Sequence, residues 1–282
     1  MKIIVFGGSG RLGSAIIRYA KSKNFKCVSV GNKKKSDLKL DLTKYNAIKI
    51  LKKFKPNIIF NCIALTNVDY CNKNILEAYN INVNTINNLT NAIINSNIST
   101  KLVHISTDQV YNNSPNYIAS SENNINPSNG YGVTKYLGEL AALKYKNTIV
   151  IRTNFFGESH IKNNRTYTDY IKINIKKKKK IKVANNIIFN PLNLNTLVKN
   201  LLLVGGSNLK GIFNLGSKDY ISKYKFAKKV AKRLKINSSY IIPFKSIYKK
   251  DNRPLGTYMD VKKFEKKTGV KLPNIDYGIS IL

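Results

Sequence analysis

Thr107, Tyr131 and Lys135 bring a hydroxyl, a phenol and an ammonium into one stretch of the chain. Ser106, Thr107 and Asp108 close an apolar run, Leu102 to Ile105. A polar loop follows, and Tyr131-Gly132-Val133-Thr134-Lys135 opens a helical pattern. A free phenol titrates near ~10, so it is protonated but a sluggish acid. A neighbouring ammonium favours the phenolate and draws that value towards working pH. Tyr131 and Lys135 are one helical turn apart and share a face. Thr107 could bond a carbonyl oxygen and help hold the alkoxide that develops there. Such a set suits delivery of a proton to a carbonyl oxygen while another group attacks the carbon.

Spacing alone selects nothing. Tyr19 with Lys23, Tyr45 with Lys49, Tyr224 with Lys228 and Tyr258 with Lys262 repeat it, and these read as surface helices. Context singles out Tyr131. It follows the Ser-Thr-Asp strand end by one loop, and Pro127 and Gly130 stand just before it.

The elements that must position this set begin at residue 2. Lys2 to Phe6 is an apolar run suited to a parallel strand buried on both faces. It feeds Gly7-Gly8-Ser9-Gly10-Arg11-Leu12-Gly13, and a helix pattern follows through Ile16, Ile17 and Tyr19. Glycines three apart let backbone approach a pyrophosphate, which the helix start at Arg11 and Leu12 then stabilises. Strand before and helix after point to dinucleotide binding. A second strand, Lys26 to Val30, ends in Gly31-Asn32-Lys33-Lys34-Lys35, where three lysines replace the acid that would bond a ribose 2′-hydroxyl. This favours NADPH, with NADH as the alternative; the bland reading is a lysine-rich loop in a lysine-rich protein. Asp41-Leu42 follow a short strand (Leu38 to Leu40), where an adenine could lie. Strand Ile58 to Cys62, helix Glu77 to Ile94, strand Leu102 to Ile105 and strand Ile149 to Ile151 continue the alternation. His104 reads as a satisfied core residue. The pattern predicts an α/β protein: a Rossmann-type doubly wound parallel sheet with a smaller C-terminal substrate-binding lobe. Residues 1–151 form the dinucleotide-binding domain in this reading. Residues 152–282 are mainly the lobe, with segments near 181–184 and 211–216 returning to the sheet. The stretch from Asn154 to Asp169 reads as a loop.

Composition narrows the partners. With 282 residues and 43% hydrophobic content the chain can bury a large core. No apolar run approaches the ~20 residues that span a bilayer, and a strand at the very start predicts no secretory leader. Three cysteines, Cys27, Cys62 and Cys71, fit a reducing cytoplasm. The net charge of +35 suggests polyanions, but the lysines are spread along the chain. The dense run Lys176 to Lys180 reads as a helix end, where cations are favoured. No specific nucleic-acid partner is expected.

At this point the chain resembles the extended short-chain dehydrogenase/reductases, and among them the dTDP-4-dehydrorhamnose reductase family. The matching stretches are Gly7 to Gly13, Asn61 to Asp69, Ser106 to Tyr111, Tyr131 to Glu139, Arg152-Thr153, Asn252-Arg253-Pro254, Asp260, Lys263-Phe264 and Gly269 to Pro273. The resemblance implies nicotinamide-dependent reduction of the C4 keto group of a nucleotide-linked 4-keto-6-deoxysugar, for a surface polysaccharide. It implies Thr107, Tyr131 and Lys135 as catalytic residues. Gly7, Gly10, Gly13, Asp41, Leu42, Ala64 and Thr66 fall on cofactor positions, with Tyr131 and Lys135 reaching the same molecule. Thr107, Asp108, Phe155 and Arg253 fall on the substrate side, and an arginine fork suits a diphosphate. No metal ligand set is implied.

Two departures stand out. Where rhamnose enzymes generally carry a tryptophan, this chain has Phe155, and it has no Trp at all; the indole donor is lost, so the sugar could differ. Where some members carry a glutamate used in a metal-linked dimer, this chain has Ala15, which argues against that assembly and leaves a homodimer open. The alternatives are a non-catalytic NADP-binding regulatory subunit, as in the methionine adenosyltransferase β subunit, and an epimerase or dehydratase. Gln109 after Asp108 counts against the dehydratase.

Overall fold

The run Lys2–Phe6 (β1) is buried from its second residue onward because it lies inside a sheet covered on both faces. A computed structural model describes residues 1–33, 35–112, 120–157, 166–247 and 253–282. In chain order β1 is followed by α1 (Arg11–Ser22), β2 (Lys26–Gly31), β3 (Leu38–Lys39), α2 (Ile48–Phe54) and β4 (Ile58–Asn61). Then come α3 (Val68–Lys73), α4 (Ile75–Tyr79), a π-helical turn (Asn80–Asn84), α5 (Thr85–Ser96), β5 (Lys101–Thr107), α6 (Gly130–Leu143) and β6 (Thr148–Thr153). The later strands are β7 (Phe155–Phe156), β8 (Ile181–Ala184), β9 (Ile188–Phe189), β10 (Leu192–Asn193), β11 (Gly211–Leu215), β12 (Ile221–Ser222) and β13 (Ile241–Phe244). Helices α7 (Tyr167–Lys176), α8 (Leu194–Gly205) and α9 (Lys223–Arg233) lie among them.

Seven strands form one sheet in the order β11-β6-β5-β4-β1-β2-β3. It is a parallel, Rossmann-like α/β sheet with helices flanking it. Ile3 pairs with Cys27 on one side and Ile58 on the other, so the order reverses direction about β1. Ligands of open sheets sit at such a reversal, beyond the carboxyl ends of the strands. Gly7, Ala64 and Thr107 all follow or end strands on that edge.

The chain falls into two compact units. One holds Met1–Val110, Asn129–Arg152 and Val198–Phe213. Its core packs Ile4, Phe6, Ile59, Leu102 and Val150 of the sheet with Leu51, Ile86 and Leu89 of the helices. The other holds Tyr111–Ser128, Thr153–Leu197 and Asn214–Leu282. Its core is aromatic, with Phe226 meeting Phe156 and Phe189 edge-on at centroid distances of 4.9 and 5.4 Å.

Four expectations are corrected. The boundary at residue 151, with 152–282 mainly lobe, is more interleaved than expected, because residues 111–128 belong to the second unit and 198–213 to the first. Segment 181–184 does not return to the large sheet; β8 pairs in parallel with β13 in a separate two-stranded sheet. Segment 211–215 is the edge strand β11. The single helix expected over 77–94 is three pieces, with five π-helical residues between α4 and α5. Of the loop expected between Asn154 and Asp169, Phe155 and Phe156 are strand, helix α7 starts at Tyr167, and residues 158–165 lie outside the described residues.

Candidate active site

The glycine turn is dictated by close backbone approach. Gly7 has φ +76°, and its N–H donates to the Val30 carbonyl at 2.9 Å. A Cβ there would lie 2.9 Å from the Cys62 carbonyl carbon, and one at Gly13 would lie 2.5 Å from the Gly7 oxygen. Gly10 caps α1 without a side-chain bond, and the first turn carries no acid. The first N–H groups of a helix have no intrahelical partner. Here they are offered with no carboxylate against them, which fits a dinucleotide's pyrophosphate. Arg11 is half-buried, Leu12 and Gly13 buried, Ala64 half-buried and Thr66 exposed.

The adenine-side residues are more committed than expected. Asp41 accepts from the Thr43 backbone at 2.9 Å and hydroxyl at 2.6 Å, and these bonds hold its carboxyl below the usual range. Leu42 is buried in the core and its carbonyl accepts from Asn88 at 2.7 Å. Lys33 and Lys35 are exposed, while Lys34 lies outside the described residues. A carboxylate does stand close behind them: Asp37 accepts from the Ser29 N–H and hydroxyl, both at 2.8 Å. Its charge serves β2 and is lowered in pKa chiefly by those two bonds.

Helix α6 delivers the phenol and the ammonium. Asn129 caps it by accepting from Gly132 N–H at 2.9 Å, which fixes where the helix starts and hence which way Tyr131 faces. The Thr107 hydroxyl stands close enough to the Tyr131 phenol to favour its phenolate form. Thr107 also accepts from Gln109 N–H at 3.2 Å and lies 3.1 Å from Asp108 Oδ1. A hydroxyl has one proton, and here it is directed at the Asp108 carboxylate. Asp108 is buried beside them.

Lys135 is buried and its Nζ donates to the Ile105 carbonyl at 2.6 Å, pinning it to the end of β5. Burial pulls its pKa down to about 8, against the raising effects of Glu139 and Cys62. The expectation that this ammonium acidifies Tyr131 is corrected. Burial pushes the half-buried phenol above its ordinary value; the Thr107 hydroxyl pulls it down, Asp108 and Cys71 raise it, and the cation that lowers it is Arg11.

The sequence reading passed over the groups beneath Lys135. Glu139, fully buried, accepts from Arg152 Nε at 2.9 Å and from Arg152 Nη2 at 2.5 Å, and the Ser106 hydroxyl donates to the same carboxylate. A Glu one turn after the lysine on an apolar helix face was the available signal. His104 is a core residue, as expected, but only half satisfied. Its Nδ1 lies 3.1 Å from Asn61 Nδ2, while Nε2 has no partner among the described residues. Burial, then Lys135, hold this ring neutral.

The π-helical turn holds the opposite wall. Asn82 accepts from Leu65 N–H at 2.8 Å and donates to the Leu65 carbonyl at 3.2 Å and the Thr134 hydroxyl at 3.0 Å. One side chain thus ties the loop after β4 to helix α6. Gly7, Thr107, Tyr131 and Lys135 belong to the first unit. Phe155 and Arg253, both half-buried, belong to the second. Asn252 lies outside the described residues.

A glycine turn on a parallel sheet, with a Thr-Tyr-Lys set at the neighbouring strand end, defines the short-chain dehydrogenase/reductase class. A family model described as RmlD substrate binding domain matches residues 1–281, and the chain belongs to that family. The Bacillus subtilis spore coat polysaccharide biosynthesis protein SpsK is 26% identical over 232 residues, 80% of this chain and 77% of that protein. The dTDP-4-dehydrorhamnose reductase of Aggregatibacter actinomycetemcomitans is 28% identical over 165 residues, 56% of this chain and 52% of its own. The crystal structure of a Bacillus anthracis dTDP-4-dehydrorhamnose reductase in complex with NADP superposes with TM-score 0.87 at 23% identity, covering 99% of this chain and 97% of that one. Among the described residues no helix is long and apolar enough to cross a membrane, and no cluster of side chains could hold a metal ion.

Proposed function

We propose that this protein reduces the C4 keto group of a nucleotide-linked 6-deoxysugar, using NADPH with NADH as the alternative. The observation that carries the reading is Lys135, one turn after Tyr131 on α6, bonded to the Ile105 carbonyl on the strand β5 that ends in Thr107. Gly7, Gly10, Gly13 and the first turn of α1 would hold the pyrophosphate. Ala64, Thr66 and Lys135 would reach the rest of the cofactor. NADPH held by these residues would supply the hydride that the carbonyl carbon accepts.

The remaining chemistry belongs to the chain. Thr107 donates to the ketone oxygen and orients it, and Tyr131 gives that oxygen its proton. Because burial keeps the phenol protonated, the reducing direction starts from the correct form. Arg11 and Thr107 lower the energy of the phenolate left behind. Phe155 and Arg253 are the proposed sugar and diphosphate contacts.

The test is Tyr131→Phe, followed by the loss of reduced-nicotinamide absorbance with a panel of nucleotide-linked 4-keto-6-deoxysugars. The variant should bind NADPH as wild type does yet turn over at least ~100-fold more slowly, the usual contribution of a positioned acid. Equal rates would refute the assignment. A wild type that binds NADPH but reduces none of the panel would favour the regulatory-subunit alternative.

A further inference from the structure

The buried charges behind the site form an arrangement that packing alone does not require. Lys135, Glu139 and Arg152 are all at most 1% exposed. Two cations and one anion therefore share a dry interior, where isolated charges are disfavoured. Lys135 and Glu139 lie one turn apart on α6 and share a face. Glu139 does not close on the lysine. Its carboxylate is taken by the Arg152 guanidinium from β6 and by the Ser106 hydroxyl from β5. Lys135 Nζ instead reaches the Ile105 carbonyl, the residue before Ser106. The same strand end thus holds the ammonium, clamps the carboxylate and presents Thr107.

We propose that Glu139 is a positioning residue of this site: a buried carboxylate, clamped by Arg152 and Ser106, that keeps Lys135 charged and in place without capturing it. Arg152 and Ser106 together fill most of the roughly four lone-pair directions of the carboxylate, which disfavours a tight lysine pair. The lysine keeps donors for a ribose or for the phenol. The other titratable groups that act on Lys135 or feel its charge are Cys62 after β4 and His104 on β5. His104 is neutral, and Cys62 carries a thiol that burial pushes up to about 12. Glu139 is therefore the anion that offsets the cost of burying the ammonium. The significance for turnover rests on the reductase reading; the electrostatic role does not.

The test labels lysine Nζ with nitrogen-15 and identifies the Lys135 signal by its loss in Lys135→Met. Titrations in the free protein, without substrate, compare wild type, Glu139→Gln, and Glu139→Gln combined with Arg152→Met. The double variant removes both charges at similar volume and keeps the core neutral apart from the lysine. The Lys135 midpoint should be highest in wild type and lower by about one pH unit or more in the double variant. It should be lowest in Glu139→Gln, where Arg152 is left uncompensated. The pH profile of ketone reduction should move the same way. An unchanged midpoint in the double variant, or failure of that variant to fold, overturns the proposal and makes the pair a structural clamp. A shifted midpoint in a protein that reduces no ketone would leave this inference standing and refute the reductase reading instead.

Discussion

Gly138→Ala puts the packing of α6 under direct strain. A Cβ at this position would lie 2.5 Å from the Asn82 carbonyl oxygen, about 0.9 Å inside the 3.4 Å at which ordinary contact begins. That oxygen is backbone of the π-helical turn, so no side chain can swing aside. Overpacking of this kind costs about 1–3 kcal/mol, and the better helix propensity of alanine returns about 1 kcal/mol of it. A net loss of up to about 2 kcal/mol lowers the melting temperature by up to roughly 8 °C in a chain of this size. Relief requires α6 to move away from Asn82, carrying Lys135 and Tyr131 with it. Misplacement approaching 1 Å can cost ~100-fold in rate, so turnover should fall by about 10- to 100-fold. Thermal melting and ketone reduction measure the two effects. Gly206→Ala is the control, since its Cβ would meet nothing closer than 3.7 Å. A Gly138→Ala protein with wild-type melting and wild-type turnover would refute the claim that the helix is held against that turn.

Gly13→Ala places a Cβ 2.5 Å from the Gly7 oxygen and 2.9 Å from the Gly8 Cα. NADPH affinity, read by quenching or fluorescence titration, should weaken by about tenfold or more, the equivalent of ~1.4 kcal/mol; an unchanged Kd would count against the pyrophosphate assignment. Lys135→Met tests the buried ammonium. Its folded pKa of about 8 lies below the unfolded 10.5, so the unfolded chain holds more protons between those values and wild-type stability gains with rising pH there. Relative to the methionine variant, denaturant unfolding should show wild type improving by up to about 3 kcal/mol from pH 8 to 10.5. A flat difference across that window would show that the lysine is not desolvated.

The central strands were legible because apolar runs such as Ile3 to Phe6 and Ile58 to Phe60 are buried on both faces and carry no competing pattern. The glycine turn was legible because its residues answer to backbone geometry that other residues cannot adopt. Long-range pairing was not. β8 meets β13 across nearly sixty residues, and Ile181-Lys182-Val183 has nothing in it that chooses β13 over the large sheet. The π-helical turn escaped notice because Asn80 to Asn84 keeps helical composition, and the extra residue in its ladder is set by what Asn82 bonds. At the site, context, namely the Ser-Thr-Asp strand end and the loop before Tyr131, singled out Tyr131 and Lys135 where spacing alone selected nothing. Whether the ammonium acts on the phenol depends on where each side chain points. Nζ turns to Ile105, so Arg11 takes the part expected of Lys135.

The strand order also bears on how the protein is made. β6, buried along its whole length, stays without a neighbour on its outer side until residues 211–215 have been synthesised. An open, apolar strand edge is a template for pairing with other chains. Chains stopped before residue 211 should therefore aggregate, and slow translation across residues 154–210 should prolong that vulnerable period.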